Sequence, residues 1–83
     1  MSDIRNRLEQ CFRLTFPKLS EEDIARASIE SVDDWDSLAT LNLTALIQEE
    51  FGFQISPAEL DQMVSFESIY LYVKSKQSTV GQD

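Results

Sequence analysis

The chain has 83 residues, enough for one small domain, and its two glycines, two prolines and 42% apolar residues are typical of an ordered fold. Fifteen acidic against seven basic residues give a net charge of −8, which argues against nucleic acid and anionic membranes as partners and favours a basic protein. A single cysteine and the lack of histidine exclude an internal disulfide, most zinc sites and any Cys–His or Ser–His catalytic pair.

The first predicted helix runs from Asp3 to Thr15 and ends before Pro17, which disfavours helical backbone in the residue that precedes it. Its apolar stripe recurs at helical spacing. The stripe consists of Ile4, Leu8, Cys11, Phe12 and Thr15. We therefore interpret Cys11 as a small buried hydrophobe rather than a reactive thiol.

A long connection follows, from Pro17 to Asp36. The segment LSEEDIARA within it can form a short helix, because Ser20 and Asp23 make a weak capping box. A connection of this length is unusual in a compact bundle, which suggests that it carries a functional feature.

The second main helix is predicted from Ser37 to Glu50, with Asp36 as its N-cap and Gly52 after its last turn. Two opposed apolar stripes run along it. One consists of Leu43, Ile47 and Phe51 with Thr40 and Thr44, and the other of Leu38, Leu41 and Ala45, flanked by Asn42 and Glu49. We expect the first stripe to face the core and the second to be a recognition surface. Burial of the helix on all sides is the alternative.

A short third helix is predicted at the segment SPAEL, where Ser56 is the N-cap, Pro57 the first helical residue and Glu59 the third. The fourth helix begins after Ser65. Its apolar face consists of Phe66, Ile69, Tyr70 and Val73, with Lys74 and Lys76 towards its negative end. Residues 77–83 are small and polar, so we expect a domain over 1–76 and a flexible tail over 77–83.

The segment MSDIRNRLEQ lacks the apolar stretch of a signal peptide. No apolar run approaches the roughly 20 residues that a membrane-spanning helix needs. We therefore expect a monomeric cytoplasmic protein with no membrane insertion.

Ser37 lies where a helix begins, and free backbone N–H groups and the helix dipole favour a negative group there. A phosphate ester on its hydroxyl fits that end of the helix, although Asp33, Asp34 and Asp36 oppose it. As a nucleophile Ser37 lacks a histidine base, so by residue chemistry alone a serine in the first helical turn is the simplest interpretation.

The acidic segment DDWDS is not a calcium loop of the EF-hand type. Counted from Asp33, the sixth position of the loop is not a glycine and Thr44 stands in place of the terminal glutamate. Loose binding of divalent cations to these carboxylates is expected instead, and no designed metal site.

The spacing of several motifs resembles that of the acyl carrier protein family, the phosphopantetheine-binding carriers. The similarity extends from about Ile4 to Val73. It rests on Asp36-Ser37-Leu38 opening a helix, Glu49-Glu50-Phe51 closing it, Ile55, the start Pro57-Ala58-Glu59 and the segment SFESI. The resemblance implies an all-α four-helix bundle with a long first loop and a short third helix.

In that family a serine carries 4′-phosphopantetheine through a phosphodiester, and its thiol holds an acyl group as a thioester. The resemblance assigns this role to Ser37, with Asp36 and Leu38 as flanking cofactor-site residues. It also implies a stand-alone carrier that is not an enzyme. Its expected partners are a phosphopantetheinyl transferase, an acyl-loading ligase or transferase, and pathway synthases, which would dock on Leu38, Leu41, Ala45 and Glu49.

The chain departs from the family at the docking helix. Ala39, Asn42 and Gln48 stand where similar carriers often have acids, which favours a dedicated fatty acid- or polyketide-type pathway over the housekeeping one. Trp35 precedes the motif, where many housekeeping carriers have a glycine-containing loop, and we interpret it as a packing residue. An aminoacyl or peptidyl carrier and a cofactor-free acidic helical interaction module are the alternatives.

Overall fold

The computed structural model describes residues 4–81, with side chains through Gln77. Over this part, four α-helices and one 3-10 helix follow each other: α1 (Ile4–Thr15), α2 (Glu21–Ala25), α3 (Ser37–Phe51), the 3-10 helix (Pro57–Gln62) and α4 (Phe66–Gly81). The predicted all-α bundle with a long first loop and a short third helix is confirmed. Its only extended pairing among these residues is a single bridge between Ser28 and Ser65.

Local capping sets both ends of α3. The Asp36 carboxylate accepts a hydrogen bond from the Ala39 N–H at 2.9 Å, which satisfies a donor that the first turn leaves free. Gly52 ends the helix in the left-handed region with φ 75°, where a side chain is disfavoured. The helix closes at Phe51, one residue later than predicted.

The connection between α1 and α3 contains the short helix that the sequence suggested. The Ser20 hydroxyl accepts a hydrogen bond from the Asp23 N–H at 3.2 Å and so caps α2. Ile24 of α2 is fully buried. The connection is therefore anchored to the core, although most of its length is irregular.

The predicted short third helix exists as a 3-10 helix. Ser56 is the N-cap of this helix, and the Ser56 backbone N–H donates to a Glu59 carboxylate oxygen at 3.2 Å. None of the residues of this helix is fully buried. The tighter 3-10 form is common in pieces this short.

The last helix, α4, is longer than predicted. It begins at Phe66, as the Ser65 cap indicates, and its backbone stays helical through Gly81, five residues beyond Lys76. Between Lys76 and that glycine there is no glycine or proline, the two residues that are least favourable in a helix. Within the predicted tail, the Gln77 amide donates to the Phe51 carbonyl at 3.3 Å. Residues 82 and 83 lie outside the described residues, and flexibility over 77–83 stays a prediction.

The core joins the apolar faces of α1, α3 and α4. Its fully buried members include Leu8, Phe12, Leu43, Ile47, Phe66, Ile69 and Val73. Ile4 and Thr15, at the two ends of the predicted first stripe, are half-buried. Phe12 lies at the centre of an aromatic cluster, with ring centroids 5.1 Å from Phe66 and 5.5 Å from Trp35.

Helices α1 and α3 run antiparallel. Arg7 near the start of α1 pairs with Glu50 near the end of α3 at 2.8 Å. At the other end, Phe16 contacts Trp35 with ring centroids 5.4 Å apart. The C-terminal end of α1 therefore points towards the start of α3, where Ser37 is found.

Cys11 lies on the inner face of α1 and is 3% exposed. Burial, with a smaller contribution from the Glu50 carboxylate, raises the pKa of its thiol to about 11. The prediction of a buried cysteine is confirmed, and the raised pKa disfavours the thiolate, which is the reactive form.

Candidate functional site

Ser37 is the first residue of α3 and is exposed. Its hydroxyl makes no hydrogen bond to any part of the chain between residues 4 and 77. The positive end of the helix dipole lies at this position. Ser37 thus presents a free hydroxyl in a place that favours a negative substituent.

Trp35 holds the segment that precedes Ser37. The indole is 5% exposed and lies against Phe12 and Phe16 of the core. Its N–H donates to the Thr40 hydroxyl at 2.9 Å, and that hydroxyl donates to the Asp36 carbonyl at 3.0 Å. The interpretation of Trp35 as a packing residue is confirmed, and its bond to Thr40 fixes the backbone around Ser37.

The two stripes of α3 lie on the faces that were expected. Leu43 and Ile47 are fully buried, whereas Leu38 is 66% and Leu41 54% exposed. Ala45, Asn42 and Glu49 are exposed as well. Burial of α3 on all sides is excluded, and partner docking on the exposed stripe stays a prediction.

Gln48 has a structural role that its residue type does not reveal. Its side-chain carbonyl accepts a hydrogen bond from the Ile55 N–H at 2.7 Å. The side chain therefore holds the turn after α3 and is half-buried. Gln48 therefore contributes less to the exposed face than its residue type suggests. Ala39 is half-buried against the core as well, so the reduced acidity of that face rests mainly on the exposed Asn42.

An open apolar groove of about 360 Å³ lies beside Ser37. Its walls come from the long connection, α3 and the 3-10 region. They consist of Ile29, Ser37, Thr40, Leu41, Leu60, Asp61, Met63 and Val64. Sequence reasoning missed Ile29 and Val64, because the hydrogen bond from the Ile29 N–H to the Val64 carbonyl at 2.9 Å joins segments with no shared local pattern.

A polar cluster around Glu59 fastens the 3-10 helix to α4. The Tyr72 hydroxyl donates to the Glu59 carboxylate at 2.6 Å, and the Lys76 ammonium lies 3.7 Å from it. Tyr72, the Ser56 backbone and Lys76 together lower the pKa of Glu59. Burial and Glu59 raise the pKa of Tyr72 to about 12. Leu60, the next residue, lines the groove, so the cluster positions one of its walls.

The part of the chain that the structure describes contains no assembled metal site. No group of three or more histidine, cysteine, aspartate or glutamate side chains there is placed to hold an ion. Asp33, Asp34 and Asp36 are all exposed just before α3.

A protein-family model described as the phosphopantetheine attachment site matches residues 16–73, more than half of the chain. The chain belongs to this family, whose carrier domains hold 4′-phosphopantetheine covalently and are not enzymes. The predicted family, the predicted cofactor and the assignment as a non-catalytic carrier are thereby confirmed. A comparison with curated proteins found no significant match. Across residues 4–81, none of the helices has the length and apolar character that crossing a membrane requires.

The residues around α3 fit such a group. The matched segment contains seven serines, and six of them use their hydroxyls in local hydrogen bonds. Those six are Ser20, Ser28, Ser31, Ser56, Ser65 and Ser68. Among the seven, only the hydroxyl of Ser37 lacks such a bond. Ser37 is also the first residue of a helix of more than three turns.

Proposed function

We propose that Ser37 is the residue that carries 4′-phosphopantetheine and that the protein is an acyl carrier. The observation that supports this assignment is the free, exposed hydroxyl of Ser37 at the start of α3. Asp36 orients the turn by capping the helix, and Leu38 provides an exposed apolar contact beside the serine.

When attached, the group supplies a terminal thiol that holds cargo as a thioester. Attachment forms a bond between the Ser37 oxygen and phosphorus, breaks the pyrophosphate bond of coenzyme A with release of adenosine 3′,5′-bisphosphate, and passes the serine proton to the transferase. Because the transferase supplies the base, the chain needs no histidine. The dipole of α3 stabilises the resulting phosphodiester against the repulsion of Asp33, Asp34 and Asp36.

An acyl cargo is favoured over an aminoacyl one by the groove beside Ser37. Its apolar walls include Ile29, Leu41, Leu60 and Val64. A hydrocarbon chain gains from leaving water there, whereas a charged amino group does not.

We further propose that the carrier serves a dedicated fatty acid- or polyketide-type pathway. Ala39 and Asn42 leave Glu49 as the acid of the exposed stripe of α3. Its partners would be a phosphopantetheinyl transferase, a loading ligase or transferase, and the synthases of that pathway, acting on a monomer in the cytoplasm. A sparsely charged face gives such enzymes a different recognition surface from a strongly acidic one.

The test is loading of the apo protein by a phosphopantetheinyl transferase and coenzyme A, followed by intact mass measurement. The wild type should gain one phosphopantetheine, Ser37→Ala should gain none, and the control Ser31→Ala should gain it as the wild type does. Circular dichroism should show that Ser37→Ala remains folded, since alanine is a good helix former.

A Ser37→Ala variant that still gains the mass would place the attachment elsewhere. A wild type that never gains it would favour the cofactor-free interaction module. The mass of the cargo on protein purified from its native cells separates an acyl carrier from an aminoacyl or peptidyl carrier.

A further inference from the structure

Leu14 is an apolar side chain that the core does not use. It lies in the last turn of α1 and is 70% exposed, more than any other large apolar residue of the described chain. Unlike Ile29, Leu41 and Val64, it does not line the groove beside Ser37. Because most of its side chain stays in water, Leu14 contributes little apolar burial to the fold.

Leu14 borders a second groove, which lies between α1 and α3 and has a volume of about 480 Å³. Its walls consist of Leu14, Thr15, Asn42, Ala45, Leu46 and Glu49. Leu14, Ala45 and Leu46 are its apolar part, and Thr15, Asn42 and Glu49 are its polar part. A side chain of a partner that entered it would lose apolar surface to Leu14 and Leu46.

The charge at this groove is unbalanced. Glu50 is paired with Arg7 at 2.8 Å, whereas the exposed Glu49 forms no ion pair within residues 4–77. An exposed carboxylate next to an apolar groove complements a lysine or arginine next to an apolar side chain. The groove therefore fits a basic, partly apolar segment of another protein.

The groove also lies within reach of an enzyme bound at Ser37. Ala45 follows Ser37 by eight residues, a distance of about 12 Å along a helix. An interface of standard size covers about 800 Å² on each partner and is roughly 30 Å across. Glu49 follows Ser37 by twelve residues, about 18 Å along the helix. An enzyme whose interface includes Ser37 near one edge therefore extends along α3 as far as Glu49 and onto the neighbouring end of α1.

We propose that Leu14, Ala45, Leu46 and Glu49 form a docking groove for the phosphopantetheinyl transferase. The transferase seats an apolar side chain against Leu14 and places a lysine or arginine beside Glu49. The docking surface then spans two helices instead of the exposed stripe of α3 alone. This inference rests on the proposed attachment at Ser37.

The experiment compares two exposed leucines during loading by a phosphopantetheinyl transferase and coenzyme A. Leu71 of α4 is 56% exposed and lies by Arg5 and Tyr70, outside both grooves. Leu14→Glu should lower kcat/KM by about thirtyfold, the lower limit for an interface hot spot, mainly through KM. Leu71→Glu should leave kcat/KM unchanged, and both variants should melt within a few degrees of the wild type. Leu14→Ala is the milder variant and should lower kcat/KM in the same direction.

A second comparison tests the charge. Glu49→Gln should lower kcat/KM and weaken its dependence on salt, since it removes a screened attraction. Combined with Leu14→Ala, its effect should be less than additive, because both side chains contact one segment of the transferase.

Equal kcat/KM for the wild type and Leu14→Glu would overturn the docking groove while leaving attachment at Ser37 intact. A wild type that is never loaded would instead overturn the proposed function. Sedimentation that showed a wild-type dimer dissociated by Leu14→Glu would assign the groove to a second copy of this chain and so overturn the transferase as its occupant.

Discussion

The two faces of α3 have the same apolar character and opposite environments. Leu43 and Ile47 on the inner face are fully buried, while Leu38 and Leu41 on the outer face are mostly exposed. Burial makes the inner residues contribute to the free energy of unfolding, and exposure frees the outer residues from that requirement. One helix therefore separates stability from recognition according to the side on which a residue lies.

The polar groups of the inner side do not disturb this separation. The buried Thr44 donates its hydroxyl hydrogen bond to the Leu41 carbonyl at 3.0 Å, and Thr40 bonds both Trp35 and Asp36. No buried side-chain nitrogen or oxygen of the described residues lacks a hydrogen-bond partner. The threonine hydroxyls of the inner face therefore have hydrogen-bond partners and do not oppose its packing against the core.

Ile47→Ala should have the largest effect on stability. Removing a fully buried isoleucine side chain is expected to cost about 2–5 kcal/mol in the free energy of unfolding, because the core closes only partly around the cavity. Urea unfolding of the apo protein measures it. Leu41→Ala is the matched control and should change stability by less than about 0.5 kcal/mol. Reversed effects would mean that the faces of α3 are assigned the wrong way round.

Leu41→Ala should instead affect partner enzymes. If the outer face is the docking surface, truncation of Leu41 should lower kcat/KM for loading by a transferase or for acyl transfer by roughly fivefold to tenfold. The free energy of unfolding should stay near that of the wild type. Steady-state kinetics with purified enzymes measures the effect, and unchanged kinetics with every partner would remove Leu41 from the docking surface.

Loading a medium-length acyl chain on Ser37 should raise the melting temperature. A chain that enters the apolar groove binds the folded state and stabilises it. Magnesium should raise the melting temperature as well, because it screens Asp33, Asp34 and Asp36. Differential scanning calorimetry of the apo, holo and acylated forms, with and without magnesium, measures both shifts. A melting temperature that acylation leaves unchanged would indicate a cargo that stays in solvent or is small and polar.

The Glu59 cluster should produce the smallest effect, a loss of stability in acid. The pKa of Glu59 is lowered by the Tyr72 hydroxyl first, then by the Ser56 backbone and Lys76. Its contribution is therefore present above the unfolded pKa of roughly 4 and is lost as the pH falls through the lowered folded value. Tyr72 keeps its proton until its raised pKa of about 12, so the donor persists throughout this titration.

An NMR titration of the Glu59 side-chain carbonyl tests this cluster. Tyr72→Phe should raise the pKa of Glu59 towards its ordinary value, whereas the control Tyr70→Phe should not change it. At neutral pH, Glu59→Gln should melt below the wild type, and the difference should vanish in acid. An equal acid response of wild type and Glu59→Gln would show that the cluster does not contribute.

Much of this architecture is predictable because its signals are local. The cap at Asp36, the left-handed Gly52 and the alternating stripes of α3 each depend on residues within a few turns of one another. The exposure of Leu38 and the burial of Ile47 follow from that periodicity.

The features that sequence reasoning missed depend on distant segments. The groove beside Ser37 needs Ile29 and Val64, which are adjacent only because the long connection pairs with the start of α4. The bond from Tyr72 to Glu59 likewise joins two helices whose separate patterns do not predict it. The groove that Leu14 borders likewise depends on the packing of α1 against α3, which the pattern of α1 alone does not predict.

The burial of Cys11 gives the carrier a chemical selectivity of its own. The chain contains a single cysteine, and its burial and raised pKa of about 11 keep it out of reach of water-soluble electrophiles near neutral pH. The terminal thiol of an attached 4′-phosphopantetheine is then the one sulfhydryl of the folded protein that a maleimide or a disulfide reagent can modify. Stoichiometric labelling of the native protein therefore counts the fraction of molecules whose phosphopantetheine thiol is free. An acylated phosphopantetheine does not react with the same reagent.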